Sequence, residues 1–165
     1  MRIKDRQQLD RVRTECPRLV TKRSLFSAAS GALPGGIAGA ASDIVNLRSL
    51  LPAINKKFGL DPTQIDELDE QMKEQVAMIA ARIGSGFIGK LITEGMIAAV
   101  LKQVGVRLAT KTAASYVPVI GSGVAAGLSF GMMKLIGNKH VEDCYELVGD
   151  MLAAQASATA PATAA

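Results

Sequence analysis

A chain of 165 residues can bury one sizeable core, and at 48% hydrophobic residues with a mean hydropathy of +0.23 this one is unusually apolar for a formal charge of +4. Aromatics make up only 4%, with no Trp, so Ala, Ile, Leu, Val and Met beside 16 Gly must fill that core, which favours closely approaching helix backbones. The two cysteines form no CxxC pair, and the N-terminus lacks the compact apolar stretch and small-residue site of a cleaved signal peptide. A reducing, cytoplasmic compartment is therefore expected.

Charge is concentrated at the start. Residues 1–23 carry Arg2, Lys4, Arg6, Arg11, Arg13, Arg18, Lys22 and Arg23 against Asp5, Asp10 and Glu15, a net of +5 that leaves −1 for the rest. Leu9, Val12, Cys16 and Leu19 fall on one side of a helix here, and Pro17 is expected to end or kink it. Such a basic amphipathic arm suits an anionic surface, lipid headgroups above all. Nucleic acid is not expected as a partner, because no aromatic side chain is interleaved to stack on bases.

Residues 24–42, SLFSAASGALPGGIAGAAS, carry no charge. In DIVNLRSLLPAINKKFG, Asp43 reads as an N-cap, Ile44, Leu47, Leu51, Ile54 and Phe58 as an apolar stripe, Pro52 as a bend and Gly59 as the stop. A further helix is predicted over 62–83, capped by Asp61 with Pro62 at its first position, and another over 87–103. Thr112–Met133 is a second uncharged run, broken by Pro118 and Gly121. The last helix is predicted to start at the cap Asn138, and residues 153–165 read as a disordered Ala/Thr-rich tail. Strand signals are nearly absent. The fold class is therefore all-α: a compact bundle of about six helices over 24–152, with the arm 1–23 and the tail peripheral.

One short motif raises the question of nucleotide chemistry. GSGFIGKL, residues 84–91, matches a phosphate loop as far as Gly84, Gly89 and Lys90, but Leu91 stands where a hydroxyl must bind magnesium, and a helical pattern rather than a strand precedes it. A tight packing point or break between helices is the plainer reading. His140 and Cys144 lie one turn apart in KHVEDC, with no further Cys or His nearby to complete a metal site or a nucleophile pair. The carboxylates between Asp61 and Glu74 coat one helix surface. No catalytic residue, metal or cofactor is expected.

The most specific pattern is a pair of glycine ladders. Gly31, Gly35 and Gly39 repeat at four-residue spacing, as do Gly123, Gly127 and Gly131. Each helical Gly costs about 0.8–1 kcal/mol relative to Ala, and three in register make a flat groove for close helix packing, within the domain or between copies. The runs 24–42 and 112–133 approach the length of a membrane span, yet each contains a Pro and many small residues. Membrane association without a simple two-span topology is the expectation, with a soluble close-packed bundle as the alternative.

LPGGIAGAASDIVNLRSLLPAINKKFGLD followed by YVPVIGSGVAAGLSFGMMKLIG resembles the small helical domains of the EcsC family and the related domain found beside bacterial GTPases. The matching positions are Pro34, Gly35, Asp43, Phe58, Gly59, Pro118, Gly121 and Gly137, over roughly residues 25–140, with Phe58 where the family more often has Tyr. The resemblance implies a bacterial helical module, often membrane-associated, without established catalytic residues. Together these readings predict a non-enzymatic protein at the cytoplasmic face of the bacterial inner membrane that self-associates or packs through its glycine ladders. The alternatives are a cytoplasmic adaptor docking on a GTPase or other helical partner, and a nucleotide-dependent switch using GSGFIGKL.

Overall fold

The computed structural model describes residues 3–31, 37–112 and 122–159. Among them every regular element is a helix: α1 (Arg6–Gly31), α2 (Ile37–Phe58), α3 (Pro62–Asp66), α4 (Glu70–Ile83), α5 (Glu94–Thr112) and α6 (Ser122–Thr159). The all-α bundle of about six helices expected from periodicity is the observed fold class. No helix of the described residues is long and apolar enough to cross a membrane.

Several helix ends follow from local chemistry. Asp61 accepts from the Thr63 amide while the Gln64 side chain accepts from the Asp61 amide, a reciprocal cap that starts α3 at Pro62 as predicted. The predicted single helix over 62–83 is two, because Asp69 takes an extended conformation and accepts from the Met72 amide at 2.8 Å, capping α4 afresh. Gly84, at φ +74°, ends α4 by turning left-handed, which costs a residue without a Cβ little. The helix expected from 87 begins only at Glu94, after Thr93 Oγ1 accepts from the Met96 amide.

Other residues expected at helix ends or bends lie inside helices. Pro17 and Pro52 lie inside α1 and α2, which run through them. An interior Pro costs about 3 kcal/mol, but Cys16 and Val20 flank the first, Leu51 and Ile54 the second, and all four are buried; at about 1.5–3 kcal/mol for each buried aliphatic side chain, that burial offsets much of the cost. The shift in charge at residue 23 falls within α1. Asp43 lies within α2, Asn138 within α6, and α6 continues past residue 153 to Thr159.

The chain divides into two compact units. Unit 1 comprises Met1–Cys16, Ile54–Leu91 and His140–Ala165, and unit 2 comprises Pro17–Ala53 and Ile92–Lys139. In unit 1, α1 runs antiparallel to α6, with Arg6 close to Gly149, Asp10 bonded to Tyr145 and Arg13 to Glu142. Leu9, Cys16, Ile54, Phe58, Leu147 and Met151 form its core. In unit 2 the same antiparallel order brings Val20 to Gly137 and Thr21 to Lys134, around Leu47, Leu50, Ile97 and Met133.

Candidate functional site

In unit 2, α1 presents one face outward. At 100° per residue, Arg18, Lys22, Leu25, Phe26 and Ala29 fall within an arc of about 100°, opposite Val20, Ser24 and Ser27, which are buried. Leu25 is 59% and Phe26 72% exposed, two large apolar side chains one turn beyond two cations. Pro17, Arg18, Thr21, Lys22 and Leu25 line an open groove of about 430 Å³ along this face. The ion pairs of the described residues engage Arg6, Arg13, Arg48, Lys57, Lys73 and Arg82, but neither Arg18 nor Lys22. The face is thus cationic at one end and apolar at the other.

The expected anionic-surface residues separate accordingly. Arg6 and Arg13, though exposed, are engaged by unit 1 itself: their guanidinium carbons sit 5.0 and 4.4 Å from the Tyr145 ring centroid, and Arg13 donates from Nε and Nη2 to the two oxygens of Glu142 at 3.1 and 2.7 Å. Those bonds raise the Arg13 pKa. Tyr145 completes the knot by donating to Asp10 at 2.7 Å and accepting from Arg6 at 3.0 Å. Sequence reasoning missed this knot; its one signal is Tyr145, half of the chain's tyrosines, flanked on the same helix by Glu142 and Glu146. Lys4, Arg11, Arg18 and Lys22 are exposed, Arg23 is half-buried, and Arg2 lies outside the described residues.

The glycine ladders divide too. Gly31, Gly39 and Gly123 belong to α1, α2 and α6, and Gly35 lies outside the described residues. Gly127 and Gly131 are exposed, and a Cβ on either would meet nothing within 4 Å. Close approach occurs instead at Gly137, where a Cβ would lie 2.8 Å from Val20 Cγ1, and at Gly149, where it would lie 2.9 Å from Arg6 Nη1.

Two buried polar clusters occupy the cores. In unit 1, His140 Nε2 is 2.9 Å from Asn55 Oδ1, Cys144 Sγ donates to the same Asn55 oxygen at 3.5 Å and lies 3.8 Å from His140 Nε2, and Asn55 Nδ2 donates to the Phe87 carbonyl at 2.9 Å. A nucleophile relay needs the thiol on one imidazole nitrogen and the orienting group on the other. Here both meet Nε2. Cys144 is also fully buried, and burial pushes its pKa well above the usual thiol value, so the pair knits helices rather than presenting a thiolate. Among the described residues no group of three or more His, Cys, Asp or Glu is arranged to hold a metal. In unit 2, Asp43, 2% exposed, accepts from Ser27 at Oδ1 and from Ser129 at Oδ2, the latter at 2.9 Å, while Asn46 Nδ2 donates to Ser27 and Ser42 at 3.3 Å.

GSGFIGKL connects α4 to α5 as a helix cap and loop. Gly84 ends α4, Gly89 at φ +66° puts a hypothetical Cβ 3.0 Å from Ile65 Cδ1, Lys90 is exposed and Leu91 is 82% exposed. No strand feeds the loop, and it does not run directly into a helix whose first amides could cradle phosphate. Comparison with protein-family models, curated proteins and solved structures returns no match.

Proposed function

We propose that this is a non-enzymatic helical protein that docks on an anionic membrane surface through the outward face of α1 in unit 2. The observation that carries this reading is the juxtaposition of exposed Leu25 and Phe26 with Arg18 and Lys22, for which no acidic partner exists among the described residues. The cations meet lipid headgroups while the apolar side chains enter the headgroup boundary, as in an interfacial helix. Within the proposal, that membrane is the cytoplasmic face of the bacterial inner membrane, as the EcsC-like resemblance would imply.

Liposome flotation tests it. Each cation near an anionic surface contributes about 1 kcal/mol, so Arg18→Gln with Lys22→Gln should weaken binding to anionic vesicles roughly tenfold to thirtyfold, and salt should do the same to wild type. Leu25→Ser with Phe26→Ser should weaken binding at every salt concentration. Wild type that fails to float on anionic vesicles, or floats regardless of both pairs of substitutions, would overturn the reading.

A second reading rests on a separate observation. Gly127 and Gly131 lie exposed beside Leu128 and Leu135, which are 43% and 54% exposed, giving α6 an open surface on which a second copy, a GTPase or another helical protein could dock. It predicts a protein that stays off vesicles and whose self-association or partner capture is lost on Gly127→Leu.

A further inference from the structure

We propose that Asp43, Ser27 and Ser129 form a binding site for a monovalent alkali cation within unit 2. The cluster joins three helices at one level, with Ser27 from α1, Asp43 from α2 and Ser129 from α6. Asp43 is 2% exposed, Ser27 fully buried and Ser129 8% exposed, so water does not solvate this carboxylate. A buried carboxylate carries a large desolvation cost unless a cation answers its charge, and hydroxyl donors return only part of that cost. No cationic side chain of the described residues pairs with Asp43: Arg48 is paired with Glu94, and Lys134 donates to Thr21.

The ligand class follows from the donors. All are oxygens, the hard type that binds alkali and alkaline-earth ions rather than zinc or copper. Ser129 spends its hydrogen on Asp43 and keeps its lone pairs, so it can serve the carboxylate and a cation together. One carboxylate balances one positive charge. A divalent ion would leave a net positive charge beside this single carboxylate, and among the described residues no group of three or more His, Cys, Asp or Glu is arranged to hold one. Asn46, donating to Ser27 and Ser42, holds the hydroxyls in place around the carboxylate.

The test is thermal unfolding of the full chain, followed by circular dichroism, in sodium, potassium and N-methyl-D-glucamine chlorides at one fixed ionic strength, which holds general screening constant. A site that binds the folded state alone should raise the wild-type midpoint saturably with sodium or potassium, by about 5–10 °C at a hundredfold excess over Kd. Asp43→Asn keeps the side-chain shape and should abolish that response. Ser129→Ala should shift the concentration needed at least tenfold, and it decides the matter should Asp43→Asn not fold. Broadening of the sodium-23 resonance by wild type, reversed by potassium, gives a readout independent of stability. Equal midpoints in all three salts would show the cluster to be a hydrogen-bonded knot only, and a response retained in both variants would place the cation elsewhere; either result overturns the proposal.

Discussion

Replacing Gly137 by Ala should weaken the fold, whereas the same change at Gly131 should strengthen it. Both residues lie within α6, and each gains about 0.8–1 kcal/mol of helix propensity from a methyl group. They differ in what the methyl meets. At Gly131 it meets nothing within 4 Å, so the gain stands. At Gly137 it would lie 2.8 and 3.1 Å from the two methyls of Val20 and 3.3 Å from Leu50 Cδ2. Val20 and Leu50 are both fully buried, and a helical Val has one strongly preferred rotamer, so the clash cannot be relieved by a simple swing. Overpacking of this kind costs about 1–3 kcal/mol, which exceeds the propensity gain and leaves Gly137→Ala roughly 1 kcal/mol less stable than wild type. The two variants should therefore differ by about 2 kcal/mol, or about 4–8 °C in Tm for a chain of this size. Urea unfolding followed by circular dichroism, read as a change in midpoint at constant slope, measures the difference. Val20→Ala should cost less in the Gly137→Ala background than alone, since it removes the clashing methyls. Should Gly137→Ala stabilise as much as Gly131→Ala, or show no coupling to Val20→Ala, the close approach of α1 and α6 in unit 2 is not what the glycine is for.

Two further outcomes follow from the buried groups. Asn55→Ala removes the partner of His140 and the donor to the Phe87 carbonyl at once, and should destabilise by about 2–4 kcal/mol in urea unfolding; a loss within 0.5 kcal/mol would show that the polar knot of unit 1 holds nothing together. Burial pushes the Cys16 thiol from its ordinary value of 9.0 up to about 11, with Lys57 pulling weakly the other way. Between pH 9 and 11 the unfolded chain loses a proton that the folded chain keeps, so this contribution to stability is intact below pH 9 and is lost as pH rises through that window. Wild type should lose stability over that range more steeply than Cys16→Ala, and equal slopes in the two proteins would sink the assignment.

How much of this was legible depended on how far along the chain the deciding contact lay. Apolar steps of three and four gave the helical class, because amphipathic burial and helix period are written in the same few residues. The start of α3 was legible for the same reason, since Asp61, Pro62 and Gln64 satisfy one another locally. Asp43 shows the limit: an acid before an apolar periodic run is an N-cap signal, yet its partner Ser129 lies 86 positions away, and that hydroxyl with Ser27 gives the carboxylate a place inside α2. Arg6 and Arg13 looked like their neighbours Arg11 and Arg18, and only Glu142 and Tyr145, facing them across an antiparallel helix pair, engage their guanidinium groups, although both side chains stay exposed. The glycines make the same point in reverse. Four-residue spacing told which face of α6 is flat, but flatness does not tell what stands opposite, and the glycines that Val20 and Arg6 approach, Gly137 and Gly149, belong to no ladder at all. A small residue is required where a neighbour comes close, so Gly105, Gly127 and Gly131, helical glycines on which a Cβ would meet nothing within 4 Å, are ones whose helix cost the described residues of unit 2 do not explain.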